Sequence, residues 1–182
     1  MVVSTRVPSS SAALVTGDLL DDLGLRLRGD LITPGHPEYD DARRVVNFTV
    51  DRRPLAIVRA ANAEDVAAAV TFARAYDLPL AVRSGGHSIP RLSMIDDAII
   101  VDLTRMKQIS IDPAARIARV QAGATSGDLA GPANDYGLAL TTGDTHSVGF
   151  GGLTSGGGVG FMVRKYGLTI DNLLSPEVVT AS

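Results

Sequence analysis

Nine of the chain's nineteen glycines lie within the 25 residues from Gly143 to Gly167. Glycine has no β-carbon, so such a density is tolerated where backbone must turn at positive φ or come close to another backbone or a ligand. A flexible tether is the competing explanation. It is disfavoured because the run is interleaved with Leu153, Val159, Phe161 and Met162 and leads into Tyr166 and Leu168, residues of packed structure rather than of a solvated linker. The segment Gly149-Phe-Gly-Gly-Leu-Thr-Ser-Gly-Gly-Gly-Val-Gly160 does not fit the two common nucleotide signatures. Thr154 stands where the G-x-G-x-x-G pattern needs its last glycine, and no Gly-Lys-Ser/Thr follows. What remains is a backbone surface suited to a flat or extended ligand, with amides for its polar edge.

A second, smaller glycine feature is Arg83-Ser-Gly-Gly-His-Ser88, directly after the strand-like run Leu80 to Val82. Two adjacent glycines can turn several N–H groups towards one point and make an anion nest, with Arg83, Ser84 and Ser88 as additional donors. A tight turn with glycines serving geometry alone is the plainer alternative. Of the three histidines, His36 sits between Pro34 and Pro37 and reads as exposed loop. His146 is as compatible with a surface position as with a ligand contact. His87, fixed between Gly86 and Ser88, is the candidate nucleophile or ligand contact. Three scattered histidines have none of the usual metal-ligand spacings.

Length and composition remove several classes. The 182 residues, 45% hydrophobic and 20% charged, suit one globular domain. A net charge of −3 gives no cationic field for a nucleic acid. The absence of cysteine excludes disulfides, zinc-thiolate sites, iron–sulfur clusters and thiol nucleophiles. No apolar run approaches a membrane span or a signal-peptide core, so a cytoplasmic protein is expected.

The first dozen residues have no period and read as a frayed tail. Leu19, Leu20, Leu23 and Leu27 follow helical spacing, with Thr16 as a cap and Gly29 as a stop, and the stretch from Ile32 to Asp41 reads as loop. Leu55 to Arg59 predicts a strand. It is followed by a helix capped at Asn62, with Val66, Val70 and Ala73 on one face, then by strands at Leu80 to Val82 and Ala98 to Leu103. Strand–helix–strand with a short connection predicts parallel pairing and a right-handed crossover. Gln108 to Ile111 and Ile117 to Gln121, flanking Asp112-Pro113-Ala114-Ala115, predict a hairpin. A helix opened by Thr125 and Asp128 and kinked or split at Pro132 runs to Gly137. Leu138 to Thr141 and Leu173 to Ala181 predict further strands in an antiparallel second half.

Four segments together, Leu80-Ala-Val-Arg-Ser-Gly-Gly-His-Ser88, Ile100-Val-Asp-Leu-Thr-Arg-Met106, Val148 to Gly160 and Arg164-Lys-Tyr-Gly-Leu-Thr-Ile-Asp-Asn-Leu173, carry a resemblance. From about Arg43 to Ala181 the chain resembles the FAD-linked oxidoreductases of the vanillyl-alcohol oxidase and p-cresol methylhydroxylase type, in particular the berberine-bridge-enzyme-like branch. The resemblance implies an α+β flavin-binding domain of two lobes, a small parallel βαβ lobe and a mainly antiparallel one. Residues 1–42 would be a tail and helix, and residues 43–182 the FAD-binding domain, without the substrate domain that relatives add.

By the same resemblance FAD contacts Arg83, Ser84, Gly85, Gly86, His87 and Ser88 on the first loop. On the second it contacts Thr145, Val148, Gly149, Gly151, Gly152, Leu153, Gly156, Gly157, Gly158 and Gly160, with Asn172 and Val178 beyond. In relatives the histidine matching His87 is bonded to the flavin 8α-methyl carbon, and a neutral imidazole is a competent nucleophile for that role. A second bond, made in some relatives by cysteine, is ruled out because Thr145 occupies its position. Val148 matches a small residue that leaves oxygen access, which implies an oxidase acting on a small-molecule CH–OH or CH–NH substrate. Leu153 stands where several relatives have histidine, and Ser175-Pro176-Glu177 departs from the family's usual small residue before Glu. No catalytic acid or base is identified in these residues. The alternative is therefore a non-catalytic flavin-binding module that needs a separate substrate domain. Substrate identity and oligomeric state are not encoded in any motif.

Overall fold

The computed structural model describes residues 14–181; the expected N-terminal tail and Ser182 lie outside them. In chain order the elements are α1 (Gly17–Gly24), β1 (Asp30–Ile32), α2 (Tyr39–Ala42), β2 (Ala56–Arg59), α3 (Ala63–Ala75), β3 (Leu80–Arg83), β4 (Ile99–Asp102), β5 (Ile109–Asp112), β6 (Ile117–Val120), α4 (Ser126–Asp135), α5 (Phe150–Ser155) and α6 (Val163–Tyr166). A 3-10 turn over Ile170–Asn172 follows.

The fold is α+β, with a four-stranded sheet in the order β1-β2-β4-β3 and a separate two-stranded sheet of β5 and β6. β4 lies between β2 and β3 and is parallel to both, while β1 is antiparallel on the β2 edge. The expected parallel pairing of β2 with β3 therefore does not form: the two run in the same direction, but β4 lies between them and takes both as neighbours. The run Ile99-Ile-Val-Asp102 explains why β4 is central: all four residues are buried, as a strand covered on both faces requires.

Alternation along the strands supplies two apolar layers. Ala56, Val58, Ile99 and Val101 pack with Leu20 and Leu23 of α1 and Ala69, Phe72 and Ala73 of α3. Ile57, Ile100 and Ala81 face Ile32, Tyr39, Ala42, Met94 and Ala98. β1, α1 and α2 therefore share the core of the later residues.

α3 begins as expected, with Asn62 Oδ1 accepting from Asp65 N at 2.9 Å. Of the expected stripe of Val66, Val70 and Ala73, Ala73 is buried, together with Asp65, Ala69 and Phe72, while Val66 and Val70 are half-buried. The Asp65 carboxylate accepts from the amides of Arg28, Gly29 and Ala61 at 2.8–2.9 Å and ties the α1–β1 turn to the start of α3. Asp65→Asn presents an NH2 group to one of those amides, and the urea midpoint is expected to fall by the equivalent of about 1–3 kcal/mol with the slope unchanged. A midpoint within error of wild type would overturn this role.

Helix α1 ends at Gly24, five residues before the expected stop. At Gly29 a β-carbon would overlap the Arg59 carbonyl, so this glycine serves backbone proximity and not termination. The expected loop from Ile32 is interrupted by α2.

The β5–β6 hairpin forms as expected, with Asp112 Oδ1 accepting from Ala115 N at 2.9 Å across the turn. α4 opens with a reciprocal cap between Thr125 and Asp128 and runs unbroken through Pro132 to a positive-φ Gly137. The Thr125 amide, and then Lys107, hold the Asp128 carboxyl below the usual carboxylate range. Leu138 to Thr141 and the residues from Leu173 to Ala181 form no strand.

Candidate functional site

The site starts where β3 ends. Gly85 and Gly149 meet back to back: a β-carbon on Gly85 would overlap the Gly149 amide nitrogen and approach the Ser147 carbonyl at 2.7 Å, and one on Gly149 would overlap Ser84 Oγ and the Gly85 nitrogen. The two glycine loops, more than sixty residues apart in sequence, are thus joined directly through backbone.

A third segment completes the junction. Residues 146–151 run along residues 122–127, with an antiparallel bridge between Thr125 and Gly149. Bonds from Gly127 N to His146 O, Ser126 N to Val148 O, Phe150 N to Ala124 O and Gly151 N to Ala122 O hold it, at 2.7–3.0 Å. The Ala122 carbonyl also accepts from Ser84 Oγ at 2.5 Å, so one oxygen serves both loops. Gly151 is needed there because its β-carbon would press on Ala122 Cβ at 2.9 Å.

Gly86 is buried at φ +74°, the left-handed region that glycine enters freely. Among the described residues, the amides of Gly85, Gly86, His87 and Ser88 donate to no protein acceptor. The first two of these residues border a cleft of about 360 Å³ lined by Asp41, Arg44, Val45, Val46, Arg83, Ser84, Gly85, Gly86 and Thr104. Unengaged amides, a positive-φ glycine and an open cleft are what an anionic group such as a pyrophosphate requires, and the residues present fit FAD in that respect. The walls carry few competing charges: Arg44 is paired with Asp41 at 2.9 Å.

Arg83 is placed differently from the donor role expected of it. Its guanidinium turns inward to Asp102 at 2.5 Å, to the Arg44 carbonyl at 2.9 Å and to the Ala42 carbonyl, bracing the cleft wall from behind. Ser88 Oγ accepts from Leu92 N at 3.1 Å. His87 is half-buried, with Nε2 2.9 Å from Ser147 Oγ.

The second glycine run is not one continuous loop. Gly149 to Gly156 spans the short helix α5 and its two ends. Gly152 is exposed, with nothing within 4 Å of its β-carbon position. Leu153 packs on Gly143, whose β-carbon would lie 3.1 Å from Leu153 Cδ1. Gly157 and Gly158 both take positive φ. Their carbonyls accept from Ile170 N and Thr169 N at 3.0 Å. Gly160 fits against the Thr142 carbonyl. Val148 is half-buried, and Thr145 is exposed with Oγ1 3.1 Å from Asp144. Asn172 donates to the carbonyls of Tyr166 and Leu168, acting as a strut, and Val178 is exposed; no bond among the described residues joins either to the first loop.

Sequence reasoning missed Asp41, Arg44, Val45, Val46 and Thr104, all lining the cleft. Their signals are slight: the basic pair Arg43-Arg44 at the end of an acidic stretch, and the place of Thr104 within the segment Ile100 to Met106 that carries the resemblance. No described helix is long and apolar enough to cross a membrane, and no described cluster of His, Asp and Glu has the makings of a metal site.

The fold and the paired loops define an α+β domain with unengaged backbone amides on its first glycine loop. A family described as "FAD binding domain" matches residues 54–182. (R)-6-hydroxynicotine oxidase of Paenarthrobacter nicotinovorans is 40% identical over 158 residues, which are 87% of this chain and 34% of that protein. The structure of Physcomitrella patens BBE-like 1 superposes with a TM-score of 0.78 at 32% identity, covering 84% of this chain and 34% of that one. A variant of Phl p 4, described as a glucose oxidase, gives 0.78 at 30%, covering 85% and 34%. The chain belongs to the FAD-binding domain family of the FAD-linked oxidoreductases, a group that includes the berberine-bridge-enzyme-like proteins. It spans about a third of the length of these relatives.

Proposed function

We propose that the chain is the FAD-holding part of an oxidase that removes hydride from a CH–OH or CH–NH carbon and passes the electrons to oxygen. Its FAD is attached through His87. FAD supplies the two-electron redox chemistry when bound. The protein's residues bind and orient: the amides of 85–88 hold the diphosphate, Arg83 fixes the cleft wall, and His87 presents a nucleophilic ring nitrogen. The observation that carries this reading is the set of unengaged amides on a loop whose histidine is oriented by a side-chain bond.

Acid precipitation tests it. Wild-type protein is expected to give a yellow pellet, and His87→Ala a colourless pellet with flavin released to the supernatant. A colourless wild-type pellet after incubation with FAD would count against attachment.

Oxygen use is assigned to Val148, a small, half-buried side chain that by the family resemblance would lie beside the flavin. Of the neighbouring structures, Phl p 4 is described as having glucose dehydrogenase activity and its isoleucine-to-valine variant as a glucose oxidase, which supports a one-residue control of this kind. Val148→Leu is expected to slow reoxidation of the reduced flavin about tenfold or more, read by stopped-flow absorbance; about 1.4 kcal/mol on the barrier suffices. An unchanged rate would remove Val148 from this role.

A second reading, a flavin-binding module that acts with a separate substrate domain, is favoured by the exposed apolar side chains of Phe161, Leu174 and Val178. Stoichiometric flavin without peroxide production from sugars, alcohols or amines would select it.

A further inference from the structure

His87 and Ser147 are sixty positions apart, yet the Ser147 hydroxyl lies 2.9 Å from His87 Nε2, while Nδ1 has no partner among the described residues. A neutral imidazole carries one N–H and one lone pair. Were the hydroxyl to donate to Nε2, the proton would sit on Nδ1 and both nitrogens would be blocked as nucleophiles. Only the opposite arrangement leaves a nucleophile. Ser147 is itself fixed, because its carbonyl lies against Gly85 and the next residue, Val148, accepts from Ser126 N at 3.0 Å.

We infer that Ser147 is a positioning residue for flavin attachment: its hydroxyl oxygen accepts the Nε2–H of His87, sets the ring's orientation and keeps the lone pair on Nδ1. The inference rests on the attachment reading above. In the step that Ser147 prepares, a bond forms between Nδ1 and the 8α-carbon, and one C–H bond of that methyl group breaks. The carbon-bound hydrogen leaves as a proton and the alkylated ring releases its Nε2 proton. The electron pair of the broken bond enters the isoalloxazine and is then taken, with two protons, by molecular oxygen to give hydrogen peroxide. While Nδ1 bonds to carbon the ring gains positive charge, and an acceptor on Nε2–H stabilises it, as outer partners do for metal-bound histidines.

The test mixes the flavin-free full chain, from riboflavin-starved cells, with FAD and follows acid-insoluble flavin with time. Ser147→Ala is expected to hold FAD non-covalently yet incorporate it at least about tenfold more slowly, whereas Ser147→Thr, which keeps the hydroxyl, restores the rate. A normal rate in Ser147→Ala overturns the role of Ser147 and leaves attachment standing. A wild-type chain that holds FAD but never bonds it removes attachment, and the role with it. Nitrogen-15 NMR of the flavin-free wild type, which has three histidines to assign, is expected to show His87 protonated at Nε2. An Nδ1–H signal overturns the inference even if Ser147→Ala does not fold.

Discussion

Gly149→Ala is expected to destabilise the chain by about 3 kcal/mol or more, whereas Gly152→Ala, three residues later, is expected to be neutral or to stabilise it by about 0.5–1 kcal/mol. The chemical change is the same. At Gly149 the added methyl overlaps the backbone nitrogen of Gly85, which cannot move without shifting the end of β3, and Ser84 Oγ, which is engaged with the Ala122 carbonyl. At Gly152 the methyl enters open space in a helix, where alanine lowers the entropy of the unfolded chain. Urea unfolding of both variants checks the pair. A Gly149→Ala midpoint near wild type would show that the loops are not held in contact as described.

Arg83→Met is expected to cost about 3–5 kcal/mol, because it leaves the wholly buried Asp102 carboxylate without its close cation. Arg59 Nε, at 3.8 Å, is a weak substitute. The double variant Arg83→Met with Asp102→Asn is expected to recover more than half of the loss. The amide removes the buried charge and retains an oxygen for the Thr104 amide, which donates to Asp102 Oδ1 at 2.9 Å. Equal stability of single and double variants would show that charge is not the source of the cost. Both should bind FAD more weakly, since the carbonyls of Ala42 and Arg44 lose their anchor beside the cleft.

Local signals were legible wherever a short stretch determines its own geometry. Asn62 with Asp65, Asp112 with Ala115, and Thr125 with Asp128 each form the bond that their spacing predicts. Strand order was not legible, because periodicity says that β2, β3 and β4 are strands and nothing about which lies between the others. Leu138 to Thr141 and Leu173 to Ala181 have strand composition but no ladder partner among the described residues, and composition without a partner makes no sheet. The glycine loops were singled out through their density and motif resemblance. Their packing against each other needed three dimensions, as did the inward turn of Arg83 and the meeting of His87 with Ser147.

The interposed position of β4 has a consequence for how the chain acquires its shape. Residues 56–83 comprise two strands and a helix, yet neither strand supplies the other with a backbone partner; β2 has β1 along one edge, while its other edge and the whole of β3 wait for residues 99–102. On the ribosome the early half therefore stays without parallel pairing until the later strand has left the exit tunnel. Nascent chains arrested before Ile99 should be open to proteases and to chaperones that grip unpaired apolar segments.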